Sequence, residues 1–486
     1  ETLNINLVQT SVESYKFNRL KSLLSELDAQ NIAYVSWKNN HQLSSVMSGN
    51  GDLDLLVPNN SKDGFIEVCK DKGWIETINP VAKFPYIKHF YRLGENDEIY
   101  HIHVYFKLIT GETWLKEFSL PFDVWLLENR VWNYNFEVWV ANDVAQAYLF
   151  LVRHLLKCGS ISSRLLYNHE FASYYEEWKV MSKNIKLEDI QGPIDITSYI
   201  KGARCYDEHL KLPKITSSIL FRLSFLPFLR FKLISLPFRR FFSFFHRLIN
   251  KVVLKHKKML PGRGLILAIS GVDGSGKTTM LEEVHEILGE FLTIERFHLG
   301  RPQGKFIEFI WRVLGNKSKN SSMPGTSNTL TPSSKTKAIN GAILSLLRLG
   351  KAWNIVNRAR RGSLMLIDRW PTDEVGKMDG PRVILGDNIS WIVNTCKRIE
   401  DWSYASMPKA DICYFFKVPI EVARERNKSR VKENKETDEM ISARFLGNLE
   451  YKPLAKKTIN FENAGEFSVK RKELLENIWN EISNRY

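Results

Sequence analysis

Leu265-Ile266-Leu267-Ala268-Ile269-Ser270-Gly271-Val272-Asp273-Gly274-Ser275-Gly276-Lys277-Thr278-Thr279 is the stretch that decides how this chain is read. A short apolar run bounded by glycine reads as a buried strand, and Leu281, Val284 and Leu288 continue beyond it at helical spacing. Between them lies G-x-x-x-x-G-K-T, in the strand–loop–helix setting that gives the pattern its meaning. Glycines at Gly271, Gly274 and Gly276 let successive backbone N–H groups converge on phosphate oxygens at the positive end of the following helix. Lys277 places a point charge on the outer phosphates, and Thr278 offers a hydroxyl to Mg²⁺. Gly271, Asp273, Gly274, Ser275, Gly276, Lys277, Thr278 and Thr279 are thus expected to hold ATP or GTP together with Mg²⁺. A glycine-rich turn without this role would not call for Lys-Thr-Thr.

Downstream, 364–367 reads as a second strand ending in Asp368-Arg369-Trp370. A carboxylate at the carboxyl end of a parallel strand beside a phosphate loop can hold a metal hydration shell or orient an acceptor. With V-D-G-S-G-K-T-T, this D-R-aromatic turn resembles the thymidylate kinase family of P-loop nucleoside-monophosphate kinases. The resemblance implies that Asp273 approaches the acceptor, that Arg369 binds the acceptor's phosphate and that Asp368 lies beside the metal. Ala423-Arg424-Glu425-Arg426-Asn427-Lys428-Ser429-Arg430 is similar to that family's lid, which makes Arg426 and Arg430 the arginines expected over the transferring phosphoryl group. Gly274 follows Asp273 where some members carry a loop arginine, so the lid would supply that charge. The alternative for the lid is a solvated basic helix. Three stretches depart from the family: Phe297-His298-Leu299-Gly300-Arg301-Pro302, of which only the arginine and proline carry over, the Ser/Asn-rich 316–337, and Asp379-Gly380-Pro381-Arg382. The likeness spans 263–486 and carries the phosphoryl chemistry further than it carries the thymidylate acceptor.

The first part of the chain, 1–205, reads as an α/β domain with a helical tail. Strands are expected over 32–37, 53–57 and about 100–108, with helical spacing from Phe17 to Leu27 and again from Val144. Gly51-Asp52-Leu53-Asp54-Leu55-Leu56-Val57 puts two carboxylates on one strand face, since side chains alternate. This motif, with Trp37-Lys38-Asn39 at the preceding strand end and Arg164-Leu165-Leu166-Tyr167-Asn168 in the tail, resembles bacterial nucleotidyltransferases of the polymerase-β-like superfamily. The resemblance implies a divalent metal held by Asp52, Asp54 and a third ligand from the 100–106 strand, where His103 stands in place of an acid. A structural aspartate pair, or a domain that only binds substrate, stays open.

The chain has 486 residues, too many for one ordinary core, and a formal net charge of +15. From 209 to 272 there are 64 residues with no acid and 13 Lys or Arg, leaving 56 basic against 54 acidic residues elsewhere. Within 206–262, Phe221, Phe225, Phe228, Phe231, Ile234, Phe238, Phe241, Phe245, Leu248 and Val252 recur at helical spacing, broken at Pro227 and Pro237. Arg240, Arg247, Lys251, Lys255 and Lys258 mark another face. Three readings compete: a helix in an anionic membrane surface, a hairpin packed on its neighbours, and a polyphosphate or nucleic-acid contact, the last without a supporting motif. Cys69, Cys158, Cys205, Cys396 and Cys413 are scattered and odd in number, which fits a reducing cytoplasm. Nothing over 1–17 resembles a signal peptide, and 316–337 reads as a loop beside a site.

The fold class expected is α/β twice over, joined by a basic linker. The function expected is ATP- and Mg²⁺-dependent phosphotransfer to a phosphorylated or hydroxyl acceptor, at the inner membrane surface. Such a pairing at a membrane suits a cell-surface glycan or its lipid-linked precursor. A dTMP kinase and a nucleotide-switched scaffold are the competing readings, and a homodimer stays open.

Overall fold

The computed structural model describes residues 19–159, 161–183, 185–203, 210–300, 332–387, 390–428, 442, 445–448 and 451–486. Cys205, Arg301, Arg430, the side chains of 165–168 and most of 316–337 lie outside the described residues. The chain divides into two compact units, Glu1–His256 with Trp479–Tyr486, and Lys257–Ile478.

The first unit is built on a mixed seven-stranded sheet. Its strands are β1 (Val35–Ser36), β2 (Asp52–Leu56), β3 (Ile75–Thr77), β4 (Ile87–Leu93) and β5 (Ile99–Tyr105), with β8 (Arg130–Asn133) and β9 (Val138–Ala141); β6 (Ile109–Thr110) and β7 (Phe118–Ser119) form a separate small hairpin. The order is β3-β4-β5-β2-β1-β9-β8, with β2 parallel to β5 and antiparallel to β1. Period-two alternation divides the side chains between two cores. Leu53, Leu55, Ile102 and Val104 face α1 (Arg19–Ala29) and α2 (Lys62–Asp71), while Leu56 and Tyr105 join a second core with α3 (Asp143–Lys157) and α4 (Ile161–Met181). Asp52, Asp54, His101 and His103 share the face of Leu56 and Tyr105, which is why charge sits against this second core. The strands expected over 32–37 and 100–108 are present in shortened form, and the one expected over 53–57 is shifted by one residue. β4, which carries His89 and Tyr91, was not anticipated.

The acid-free insert is two helices, α5 (Ile215–Ser224) and α6 (Leu236–Ile249). Pro227 lies in a short 3₁₀ turn and Pro237 in the first turn of α6, where a missing N–H costs nothing. Up to His256 the insert falls within the first compact unit. Phe221 and Phe225 are buried in the α3 core. Two fully buried carboxylates in the β6–β7 connection, Glu112 and Glu117, take their countercharge from the insert. Arg222 pairs with Glu117 and stands 3.8 Å from Glu112, while Arg240 Nε lies 3.0 Å from Glu112. The Arg230 amide donates to the Glu117 carbonyl at 2.8 Å, and its guanidinium to the Lys116 carbonyl at 2.9 Å. Arg240, counted with the basic face in the sequence, is therefore a half-buried ion-pair partner of Glu112.

The second unit is an all-parallel five-stranded sheet, order β11-β12-β10-β13-β14. Its strands are β10 (Ile266–Gly271), β11 (Ile294–His298), β12 (Leu364–Asp368), β13 (Ala410–Lys417) and β14 (Ala455–Glu462). The flanking helices are α7 (Lys277–Gly289), α8 (Lys335–Ala359), α9 (Trp391–Ala405), α10 (Ile420–Lys428) and α11 (Phe467–Ser483). Parallel pairing needs crossover helices, which is why β13 reads as a near-continuous apolar run buried on both faces. The strand bearing the phosphate-loop motif is central, and chain order reverses beside it.

Removing one partner of a buried ion pair leaves an uncompensated charge. Arg222→Ala is expected to destabilise the first unit by about 3–5 kcal/mol, read as a lowered urea midpoint. Arg239→Ala, on the exposed side of α6, should change it by no more than about 0.5 kcal/mol.

Candidate active site

The loop between β10 and α7 has the backbone its sequence demands. Gly274 and Gly276 have φ of +85° and +84°. A Cβ on Gly274 would stand 2.7 Å from the Ala423 carbonyl oxygen, and one on Gly276 would stand 2.6 Å from Asn463 Nδ2. Neither position tolerates a side chain. Lys277 is buried and donates to the Val272 carbonyl at 2.7 Å, with Ser275 Oγ at 3.4 Å. Thr278 and Thr279 are exposed at the start of α7. Asn463, at the end of β14, donates to the Ser275 carbonyl at 2.7 Å and accepts on its own carbonyl from Arg426 at 3.0 Å. Arg426 is thus linked to the phosphate loop through Asn463. Arg430 lies outside the described residues.

Asp368 ends β12 in register with Ile269, one strand over from the loop. His298 Nδ1 lies 3.0 Å from Asp368 Oδ2. Burial opposes ionisation of this carboxyl, but His298, Arg369 and Lys277 outweigh it and hold its pKa below the ordinary value. Among the described residues, Asp368 Oδ1 is buried with no hydrogen-bond partner. An orphaned anionic oxygen beside a phosphate loop suits the hydration shell of Mg²⁺, and the exposed Thr278 hydroxyl adds a second oxygen. A cleft of about 370 Å³ opens here, lined by Leu281, Arg296, Phe297, His298, Leu366 and Asp368.

Arg369 has φ +67°, a left-handed conformation that a non-glycine residue holds only when its surroundings impose it. The surroundings are specific. The Arg369 amide donates to the Ile269 carbonyl at 3.0 Å, and the Trp370 amide to Ser270 Oγ at 3.1 Å. The guanidinium gives Nη2 to Asp273 Oδ1 at 2.6 Å and lies 3.8 Å from Asp379 Oδ2. Burial works against this cation, but Asp273, Asp379 and Asp368 together raise its pKa. Asp379 also binds the fully buried Arg348, Oδ1 to Nη2 at 2.7 Å, and Arg348 Nη1 donates to Tyr404 Oη at 2.9 Å.

Sequence reasoning placed Asp273, Asp368 and Arg369 together but missed Asp379, Arg348, Asn463 and His298. A signal existed for Arg348, which stands on the buried stripe of α8 with Ser345, Leu349 and Ala352. A charge at an apolar position needs a buried partner, and Asp-Gly-Pro at 379–381 supplies it.

In the first unit the strand register sets Asp52 opposite His101 and Asp54 opposite His103, with His89 and Tyr91 on the next strand. The expected trio of Asp52, Asp54 and His103 therefore shares a face. Asp54 is buried, and its oxygens meet Lys38 Nζ at 2.8 Å, His103 Nδ1 at 3.0 Å and Asn39 Nδ2 at 3.1 Å. Asp52 Oδ1 meets His101 Nδ1 at 2.5 Å. Among the described residues no group of three His, Cys, Asp or Glu side chains could hold a metal ion. Lys38, Asn39 and His103 thus stand against the Asp54 oxygens, and His101 against Asp52.

A central parallel strand feeding a phosphate loop, with an Asp-Arg turn on the adjacent strand, defines the second unit as a P-loop, kinase-like α/β unit. No family model matches the chain. The chain is similar to an uncharacterized ATP-binding protein, YghS, of Escherichia coli (strain K12), 27% identical over 126 residues, which cover 24% of this chain and 53% of that protein. The chain thus spans about half the length of the curated relative it matches. Among solved structures it is similar to deoxyadenosine kinase from M. mycoides with bound dATP, at 15% identity and a TM-score of 0.26, over 44% of this chain and 98% of that one.

Asp379→Ala is expected to cost about 3–5 kcal/mol, because it leaves Arg348 buried and unmatched. A thermal melt of the second unit checks this, and Asp373→Ala, on the same connection, should leave the midpoint almost unchanged.

Proposed function

We propose that the second unit transfers the terminal phosphoryl group of ATP to a hydroxyl acceptor. One observation carries the choice of acceptor: Arg369 is already balanced by Asp273 and Asp379, with Asp368 beside them. A phosphate monoester would have to approach three carboxylates and displace an ion pair, whereas an uncharged hydroxyl can bond to them. In this reading Lys277 and the loop amides hold the phosphates, and Arg426 lies against charge that spreads during transfer. Asp273 orients the acceptor hydroxyl and accepts its proton. Asp368 and Thr278 would hold Mg²⁺, which when bound offsets charge on the phosphate oxygens. A sugar hydroxyl of a glycan or of its lipid-linked precursor is the acceptor class that fits. The first unit is read as a binding domain of nucleotidyltransferase-like organisation, with no transfer step assigned to it.

The purified chain assayed with ATP, Mg²⁺ and panels of sugars, nucleosides and dTMP separates the readings. Turnover of hydroxyl acceptors is expected, reduced on the order of 10²-fold or more by Lys277→Ala. Robust dTMP turnover with hydroxyl acceptors inert would make the chain a nucleoside-monophosphate kinase instead.

The insert bears on where this happens. Among the described residues no helix is long and apolar enough to cross a membrane. On α6, however, Phe238, Phe241, Phe242 and Phe245 are 49–69% exposed and share a helix face, while Lys232, Arg239, Lys251 and Lys255 are exposed around them. We read α6 as lying in an anionic lipid surface, aromatic face down. Salt-dependent sedimentation with phosphatidylglycerol vesicles is expected, and Phe241→Ser with Phe245→Ser should abolish it; equal binding by the variant would rule the reading out.

A further inference from the structure

His298 and Asp368 are partners in the register of β11 and β12, so their side chains leave the sheet on the same face, into the cleft beside the phosphate loop. The histidine is held from both ends. Its backbone is fixed by the Lys351 ammonium, which donates to the His298 carbonyl at 2.7 Å, and by the Leu299 amide, which donates to the Asp368 carbonyl at 3.2 Å. At the ring, Nδ1 lies 3.0 Å from Asp368 Oδ2. An ionised carboxylate has only lone pairs to offer, so Nδ1 is the donor. The far edge of the ring is seated against Gly300, where a Cβ would stand 2.3 Å from Nε2 and 2.7 Å from Cε1. Gly300 is buried and its backbone is not left-handed, so the ring rather than the chain path is what requires glycine there.

A contact this accessible, with the His298 side chain 43% exposed, contributes little to stability. Its effect is on Asp368. Among the described residues His298 makes the one hydrogen bond to that carboxylate, and the other oxygen, Oδ1, is buried without a partner. We infer that His298 is a positioning residue: by holding Asp368 Oδ2 it leaves Oδ1 for the hydration shell of Mg²⁺, and Gly300 gives the ring room to do so. The inference rests on the reading of Asp368 as the carboxylate beside Mg²⁺. Removing a partner that orients a metal-binding side chain weakens metal binding by about 10–100-fold in comparable sites. The choice of imidazole follows from its charge. A lysine or arginine here would cancel the negative charge that attracts the cation, whereas an imidazole can fix the carboxylate as a neutral donor.

The test uses the full chain with the non-hydrolysable ATP analogue adenylyl imidodiphosphate, and Mn²⁺ as the probe of the Mg²⁺ site, free Mn²⁺ being read by electron paramagnetic resonance. No acceptor is present, so the choice of acceptor cannot decide the result. His298→Ala and Asp368→Asn are each expected to weaken Mn²⁺ binding to the nucleotide complex by about tenfold or more, while His298→Ala leaves nucleotide binding in EDTA unchanged. His298→Asn, whose amide nitrogen takes the place of Nδ1, should restore the metal; His298→Gln, whose donor lies nearer the place of Nε2, should not. Gly300→Ala should reproduce His298→Ala by displacing the ring, and should add nothing in the His298→Asn chain, which has no ring to displace. Nucleotide binding in EDTA and circular dichroism confirm the fold of each variant, and His298→Gln carries the test should His298→Ala fail to fold. Unchanged Mn²⁺ affinity in Asp368→Asn removes the metal role of Asp368 and overturns the inference with it. Weakening by Asp368→Asn but by neither His298→Ala nor His298→Gln overturns the inference alone, as does failure of His298→Asn to restore binding.

Discussion

A carboxylate removed from water must bring a cation with it, and much of this chain is arranged around that requirement. In the second unit Asp379 is the residue in question. It lies between Arg348 from α8 and Arg369 from the strand end, and so ties the Asp-Arg turn to the helix behind it. The left-handed backbone of Arg369 is sustained by that tie, by Asp273 in front and by the β10 hydrogen bond beneath. In the first unit Glu112 and Glu117 do the same work, drawing Arg222 and Arg240 down onto a small hairpin. Partner removal is severe in these networks because the desolvation of the remaining charge is no longer offset.

The parts legible in the sequence were those with local rules. The phosphate loop was readable because glycine, lysine and threonine at fixed spacing solve a backbone problem within a few residues. The Asp-Arg turn was readable because a parallel strand must end somewhere near that loop. Paired aspartates on β2 were readable from alternation alone. Long-range pairing was not. Nothing near Tyr105 indicates that Lys116 will bond to its hydroxyl, since the two are brought together by a hairpin folding back on the sheet. Likewise Asp379 looked like a departure from a family pattern until the buried Arg348 gave it a purpose. β4 escaped because Lys88, His89 and Arg92 interrupt its apolar alternation: His89 lies on the face of His101, while Lys88 and Arg92 lie on the Phe90 face, bonded to Glu76 and to the Gly73 carbonyl.

The opening observation about charge also changes character. An acid-free stretch looked uniform in composition, yet the structure divides its basic residues by role. Arg222, Arg230 and Arg240 are spent inward, on carboxylates and carbonyls of the first unit. Lys232, Arg239, Lys251 and Lys255 remain outside, around the aromatic side of α6. Composition cannot make this distinction, because an arginine that neutralises a buried acid and one that faces solvent count alike.

The inward arginines have a consequence for where the first unit ends as a piece of polypeptide. Composition changes near 205, and a fragment cut there would contain the whole seven-stranded sheet. It would also retain Glu112 and Glu117 while discarding both of their counterions and the Phe221 and Phe225 side chains that cover the α3 core. The first compact unit is therefore longer than its sheet, and its α5 and α6 helices supply part of its ion pairing and core.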